Sequence, residues 1–99
     1  MIQINNNIWT IDSELTLKTV ASIYKKFKKR LKEISNTWTI DFSNCNKVDS
    51  SGLALIIEYI KHAKRSSIKL ELKNIDSKIL SLAKVHGAKD ILEQFINKE

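Results

Sequence analysis

The 99-residue chain has no proline, two glycines and one cysteine, and its longest apolar run, Leu53 to Ile57, is five residues. Each shortage excludes something. With glycine only at Gly52 and Gly87 there is no glycine-rich loop to cradle a phosphate, and the P-loop signature is absent. Cys45 has no second cysteine with which to close an internal disulfide. His62 and His86 are the only imidazoles, and no spacing resembles a zinc site, so neither a metal nor a cofactor is expected. A five-residue apolar run is far too short to span a bilayer. The start, Met1-Ile-Gln-Ile-Asn-Asn-Asn, lacks the basic segment and long apolar stretch of a secretory leader. The expectation is a soluble, cytoplasmic protein. No proline-rich or low-complexity linker divides it, and its length suits one core, so residues 1–99 read as one domain.

What is present is a globular composition, 42% hydrophobic and 28% charged, with a net charge of +6. The charge is uneven: Lys25, Lys26, Lys28, Lys29, Arg30 and Lys32 crowd into one segment. Such crowding suits nucleic acid or anionic lipid. The same segment places Val20, Ile23, Tyr24, Phe27, Leu31 and Ile34 at steps of three and four. That spacing predicts one amphipathic helix over 16–34 with its lysines on the wet face. The solvated face is the preferred reading, and no nucleic-acid partner is expected.

Elsewhere the hydrophobic period changes repeatedly. Ile2 and Ile4, then Ile8-Trp9-Thr10-Ile11, predict two short strands joined through Asn5-Asn6-Asn7, since asparagine tolerates turn dihedrals. Asp12 or Ser13 could cap the helix that follows. Thr37 to Phe42 is β-branched and aromatic, hence a strand. Leu53, Ile56, Ile57, Ile60 and Ala63 have helical spacing within 50–64. Ile68, Leu70 and Leu72 alternate with Lys69, Glu71 and Lys73, a strand with one wet face at or near a sheet edge. Asp76 or Ser77 opens a further helix carrying Ile79, Leu80, Leu82, Ala83 and Val85, which Gly87 can end in a left-handed conformation. A last short helix holds Ile91, Leu92, Phe95 and Ile96. The order β-β-α-β-α-β-α-α requires crossover connections and parallel pairing, so the fold class is α/β, a small mixed sheet with helices packed on it.

Between the third strand and its helix stand Asp49-Ser50-Ser51-Gly52. The helix starts after a strand and a short loop, so its unpaired amides and positive dipole end lie at the strand's carboxyl end, where α/β folds place sites. Asp49 is placed to cap it, Gly52 lets another group approach closely, and Ser50 and Ser51 put two hydroxyls in the first turn. A plain helix start accounts for the same residues. Catalysis is disfavoured: the Gly-x-Ser-x-Gly elbow is absent, and His62 lies about three turns along the helix from the serines, beyond reach of a general base. Asp41 reads as a strand-end residue.

The order of elements and the stretch "IDFSNCNKVDSSGLALIIEYIKHAKR", Ile40 to Arg65, resemble the STAS domain, the fold of anti-sigma factor antagonists, anion-transporter tails and the small cytoplasmic subunit of the Mla phospholipid ABC transporter. In antagonists a serine in this turn is phosphorylated, and Ser51, just before Gly52, matches that acceptor. In Mla-type subunits the turn docks on the transporter's ATPase subunit, and Ser50 matches its hydroxyl. Leu53 to Ile57, Ala63-Lys64-Arg65 and Ile79 to His86 resemble the Mla type. Antagonists more often carry a proline near the start of the third helix and a Gly-Leu step near its end, whereas here proline is absent and Ala88 follows Gly87. The resemblance thus implies a non-catalytic subunit, peripheral to the inner membrane through its partner, that docks on the ATPase through Lys47, Asp49, Ser50, Ser51, Gly52 and Leu53. An anti-sigma factor antagonist phosphorylated at Ser51 is the alternative.

Overall fold

The computed structural model describes residues 1–96; the last three residues of the expected domain lie outside the described residues. Strands β1 (Ile2–Asn5) and β2 (Ile8–Ile11) form the expected hairpin, with Asn6 in the left-handed region at φ 57°. Helix α1 (Val20–Phe27) runs into a 3-10 segment, Lys28–Glu33, before strand β3 (Thr37–Asp41). Helix α2 (Ser50–Arg65), strand β4 (Lys69–Lys73), helix α3 (Ser77–Val85) and helix α4 (Lys89–Glu93) complete the order. The sheet runs β1-β2-β3-β4, antiparallel between β1 and β2 and parallel thereafter, so β4 is an edge as its alternation predicts.

Register explains the core. Ile2 opposes Ile11, Ile4 opposes Trp9, Trp9 opposes Ile40 and Ile40 opposes Leu72, so one face of the sheet is apolar. The alternate positions Gln3, Thr10, Asp41 and Lys73 share the other face. Trp9 and Trp38 meet edge to face at 5.1 Å, and both rings contact Tyr59 of α2, at 5.8 and 5.4 Å. Trp9 also meets Phe27 of α1 at 6.1 Å. These aromatics fix α1 and α2 over the centre of the sheet. Each such ring contributes on the order of 2–3 kcal/mol by burial alone. Along α3, Ile79 and Ala83 are buried, as the helical spacing predicts, whereas Val85 projects outward at 81% exposure. The Asp76 carboxylate accepts from the Ile79 amide to start α3, and Gly87 closes its end at φ 72°.

The last helix ends at Glu93, so Phe95 and Ile96 lie beyond it, with Ile96 bridging Leu72 of β4. Two expectations for the first helix are also corrected. The single helix over 16–34 is instead a shorter α-helix and a 3-10 segment. Lys25 and Lys29, and Lys28 and Lys32, are like charges four residues apart, which destabilises a regular helix there. The tighter turns seat Leu31 in the core, and its carbonyl lies 3.1 Å from His62 Nε2. Neither Asp12 nor Ser13 caps α1: Asp12 accepts from the Gln3 side chain, and the Ser13 hydroxyl donates to the Glu14 carbonyl. The helix starts at Val20 because residues before it are committed elsewhere. Leu15 forms a bridge with Val48, its amide donating to the Lys47 carbonyl at 2.8 Å and its carbonyl accepting from the Asp49 amide at 3.1 Å.

Candidate functional site

The α2 start is built by Asp49 and Gly52. Asp49 Oδ1 accepts from the Gly52 amide at 3.0 Å, the expected cap, and Oδ2 accepts from the Leu17 amide at 2.9 Å. These backbone bonds, Leu17's first and Gly52's second, hold the carboxyl below the usual carboxylate range despite some opposing burial. With both oxygens engaged, Asp49 positions the turn and the Leu15–Leu17 strap above it. Gly52 is what admits the strap: a Cβ there would stand 2.0 Å from the Leu15 carbonyl oxygen.

The six residues of the expected docking set therefore separate by role. Ser50 is exposed and Ser51 half-buried, so their hydroxyls are the polar groups the turn presents. Lys47 is exposed and borders a hollow of about 380 Å³ shared with Glu14, Cys45, Asp76 and Lys78. Gly52 and Leu53 are buried, Leu53 at 2% exposure, so the Leu53 side chain supports the turn from the core. Helical spacing alone could have indicated this, because Leu53, Ile56 and Ile60 lie on one apolar face.

Apolar groups border the turn that sequence spacing did not assign to it. Leu17, whose amide sits on Asp49, is 79% exposed. Val48, next to Asp49, lines a shallow hollow with Leu82 and Val85 of α3. The readable signal was Val85, an apolar residue in the last turn of a helix whose buried stripe ends at Ala83. The turn thus combines exposed Ser50, backbone fixed by Asp49 and Gly52, and the neighbouring apolar side chains Leu17, Val48, Leu82 and Val85.

Other titratable groups near it are structural. Burial pushes the Asp41 carboxyl upward, but bonds from the Asn74 side chain at 2.8 Å and the Ser43 amide at 2.9 Å outweigh it and hold the group low. Asp41 thereby ties the end of β3 to the turn after β4, the strand-end role expected of it. Burial pushes the Cys45 thiol up. Among the described residues no group of three or more His, Cys, Asp or Glu side chains could hold a metal ion, and no helix is long and apolar enough to cross a membrane.

The fold has known counterparts. No curated protein matches the chain in sequence. Among solved structures, a Thermotoga maritima protein described as an anti-sigma factor antagonist superposes with a TM-score of 0.73 at 19% identity, covering 100% of this chain and 86% of that one. A sulfate transporter family protein from Wolinella succinogenes gives 0.72 at 14% identity, covering 91% and 74%. The antagonist SpoIIAA in its unphosphorylated form gives 0.68 at 13% identity, covering 100% and 87%. At such identities the likeness speaks for the fold. The sequence profile described as "Mlab, STAS domain" matches residues 7–93, nearly the whole chain, with the α2 turn inside it. By that match and by its fold, the chain belongs to the STAS domain family.

Proposed function

We propose that this protein is a non-catalytic STAS subunit of a phospholipid ABC transporter of the Mla type, docking on the cytoplasmic ATPase subunit through the α2 turn and supporting its assembly and activity. The observation that carries the reading is the division of labour at the turn. Asp49 is consumed by the Gly52 and Leu17 amides, so the surface offers a neutral hydroxyl, Ser50, beside exposed Leu17 and the Val48, Leu82 and Val85 hollow. A hydroxyl and an apolar rim on fixed backbone suit a preformed protein contact. The match to the profile described as "Mlab, STAS domain" supports the same branch of the family. Nucleotide, on this reading, belongs to the ATPase, and the STAS subunit reaches the inner membrane through it.

Co-purification of the tagged protein from its native cell tests the proposal. Recovery of an ABC ATPase with its permease is the expected result. Recovery of a serine kinase with a sigma-factor pathway, together with phosphate on Ser51, would replace it with the antagonist reading.

A further inference from the structure

The groove between the 3-10 segment and α2 lies outside the docking turn and encloses about 200 Å³. Lys28, Lys32 and Arg65 line it with His62, while Glu58 is the one acidic residue among the lining groups. Glu58 also pairs at 3.8 Å with Lys61, which does not line the groove. The wider field has the same sign. Residues 18–33 hold seven of the chain's 17 basic residues and one of its 11 acidic ones, so this segment carries the entire net charge of +6. The remaining ten and ten cancel.

A second observation is independent of charge. Tyr59 lines the same groove and is 3% exposed, yet among the described residues its hydroxyl has no hydrogen-bond partner. Its ring is held among Trp9 and Trp38, and Tyr24 lines the same groove. Leaving a buried hydroxyl unpaired is unfavourable, and an acceptor entering the groove would offset that cost. Phenylalanine would fill the core without that cost.

We propose that this groove binds a phosphate group, with Lys28, Lys32 and Arg65 neutralising its charge and the Tyr59 hydroxyl donating to one of its oxygens. Arg65 supplies a planar fork for two oxygens, and the lysines act as point charges. The phosphate belongs either to a lipid headgroup or to a soluble phosphate ester, which share the chemistry recognised here. The inference does not depend on the docking turn, and its test involves no ATPase.

The test titrates glycerophosphate, and separately vesicles of phosphatidylcholine with or without phosphatidylglycerol, against isotope-labelled protein, following the Tyr24, His62 and Arg65 amides. Saturable binding is expected in at least one arm. Lys28→Gln/Lys32→Gln/Arg65→Gln should weaken it roughly tenfold or more. Lys25→Gln/Lys26→Gln/Lys29→Gln removes equal charge outside the groove and should change it by less than about threefold. Tyr59→Phe should weaken it about tenfold while leaving thermal stability unchanged or raised. Binding of free glycerophosphate identifies a soluble ester as sufficient; binding confined to phosphatidylglycerol vesicles identifies the headgroup. Equal loss in the two triple variants, a response in neither arm, or tighter binding to a DNA duplex that falls with total charge removed would each overturn the proposal.

Discussion

Gly52 lies beneath Leu15 so closely that a Cβ on the glycine would stand 2.0 Å from the Leu15 carbonyl oxygen. The obstacle is backbone, and that carbonyl already accepts from the Asp49 amide at 3.1 Å, so it cannot yield without loosening the strap. Gly52→Ala is therefore expected to destabilise the domain by about 2–3 kcal/mol, the upper range for overpacking. Urea unfolding gives the stability, and amide exchange at Asp49 reports whether the strap lifts. A change below about 0.5 kcal/mol, the scale of an ordinary surface substitution, would show that the strap moves freely.

Asp49 joins the same two elements through its side chain. Asp49→Ala leaves the Gly52 and Leu17 amides without their acceptor, and loss of a helix cap of this kind costs about 1–2 kcal/mol. The pH dependence follows from the lowered folded-state pKa values of Asp49 and Asp41. Each carboxylate contributes stability that is present above its unfolded pKa of about 4 and lost as pH falls through the lower folded value. Melting temperature should therefore fall as pH drops below about 4, and fall less steeply in Asp49→Ala. Thermal melts of both proteins at neutral and acid pH decide it; parallel curves would remove Asp49 from the acid transition.

The local features of this site were legible in the sequence, and its long-range features were not. Alternation placed Leu70 and Leu72 on the buried face of β4, and the small polar run before an apolar helix marked Asp49 as a cap and Gly52 as a close approach. Both follow from residue chemistry within a few positions. The Leu17 amide on Asp49 joins residues 32 apart in the chain, and nothing in the spacing of either segment encodes that meeting. Helical period also misled where charge opposed it. Tyr24 shares the steps of Ile23 and Phe27, yet it is 38% exposed, at the rim of the groove rather than in the core. The end of α1 at Phe27 depends on lysine repulsion and on the seat that α2 offers Leu31. Periodicity cannot report either.

Cys45 offers a measure of how tightly the loop before α2 is closed. Its side chain is 8% exposed, its sulfur lies 3.7 Å from the Lys47 carbonyl, and burial pushes the thiol pKa up. Alkylation requires the thiolate and access to it. Iodoacetamide at neutral pH should leave Cys45 unmodified in the folded protein and react with it promptly in denaturant. Rapid labelling of the folded protein, read by mass spectrometry, would mean that the loop over 43–48 opens readily and does not hold the turn in place.

The decisive prediction concerns Ser50 and Ser51. A glutamate at either position brings negative charge to the first turn of α2, where the helix dipole favours it by a few tenths of a kcal/mol. The neighbouring Asp49 carboxylate opposes part of that gain, and at half-buried Ser51 the longer side chain must turn outward. Ser50→Glu should accordingly fold with unchanged stability, and Ser51→Glu should lose no more than about 1 kcal/mol. If the turn docks on the ATPase subunit as proposed, binding responds differently, because a surface shaped for a neutral hydroxyl would hold no counter-charge for a carboxylate. An unpaired charge buried at the contact costs several kcal/mol, enough to abolish capture of the ATPase subunit. Ser50→Ala removes one hydroxyl and should weaken capture by roughly 1–3 kcal/mol. Thermal unfolding beside pull-down of the ATPase measures both quantities for each variant. If the glutamate variants fold and still retain the ATPase at wild-type levels, the turn caps a helix and does no more, and docking must be sought on another face.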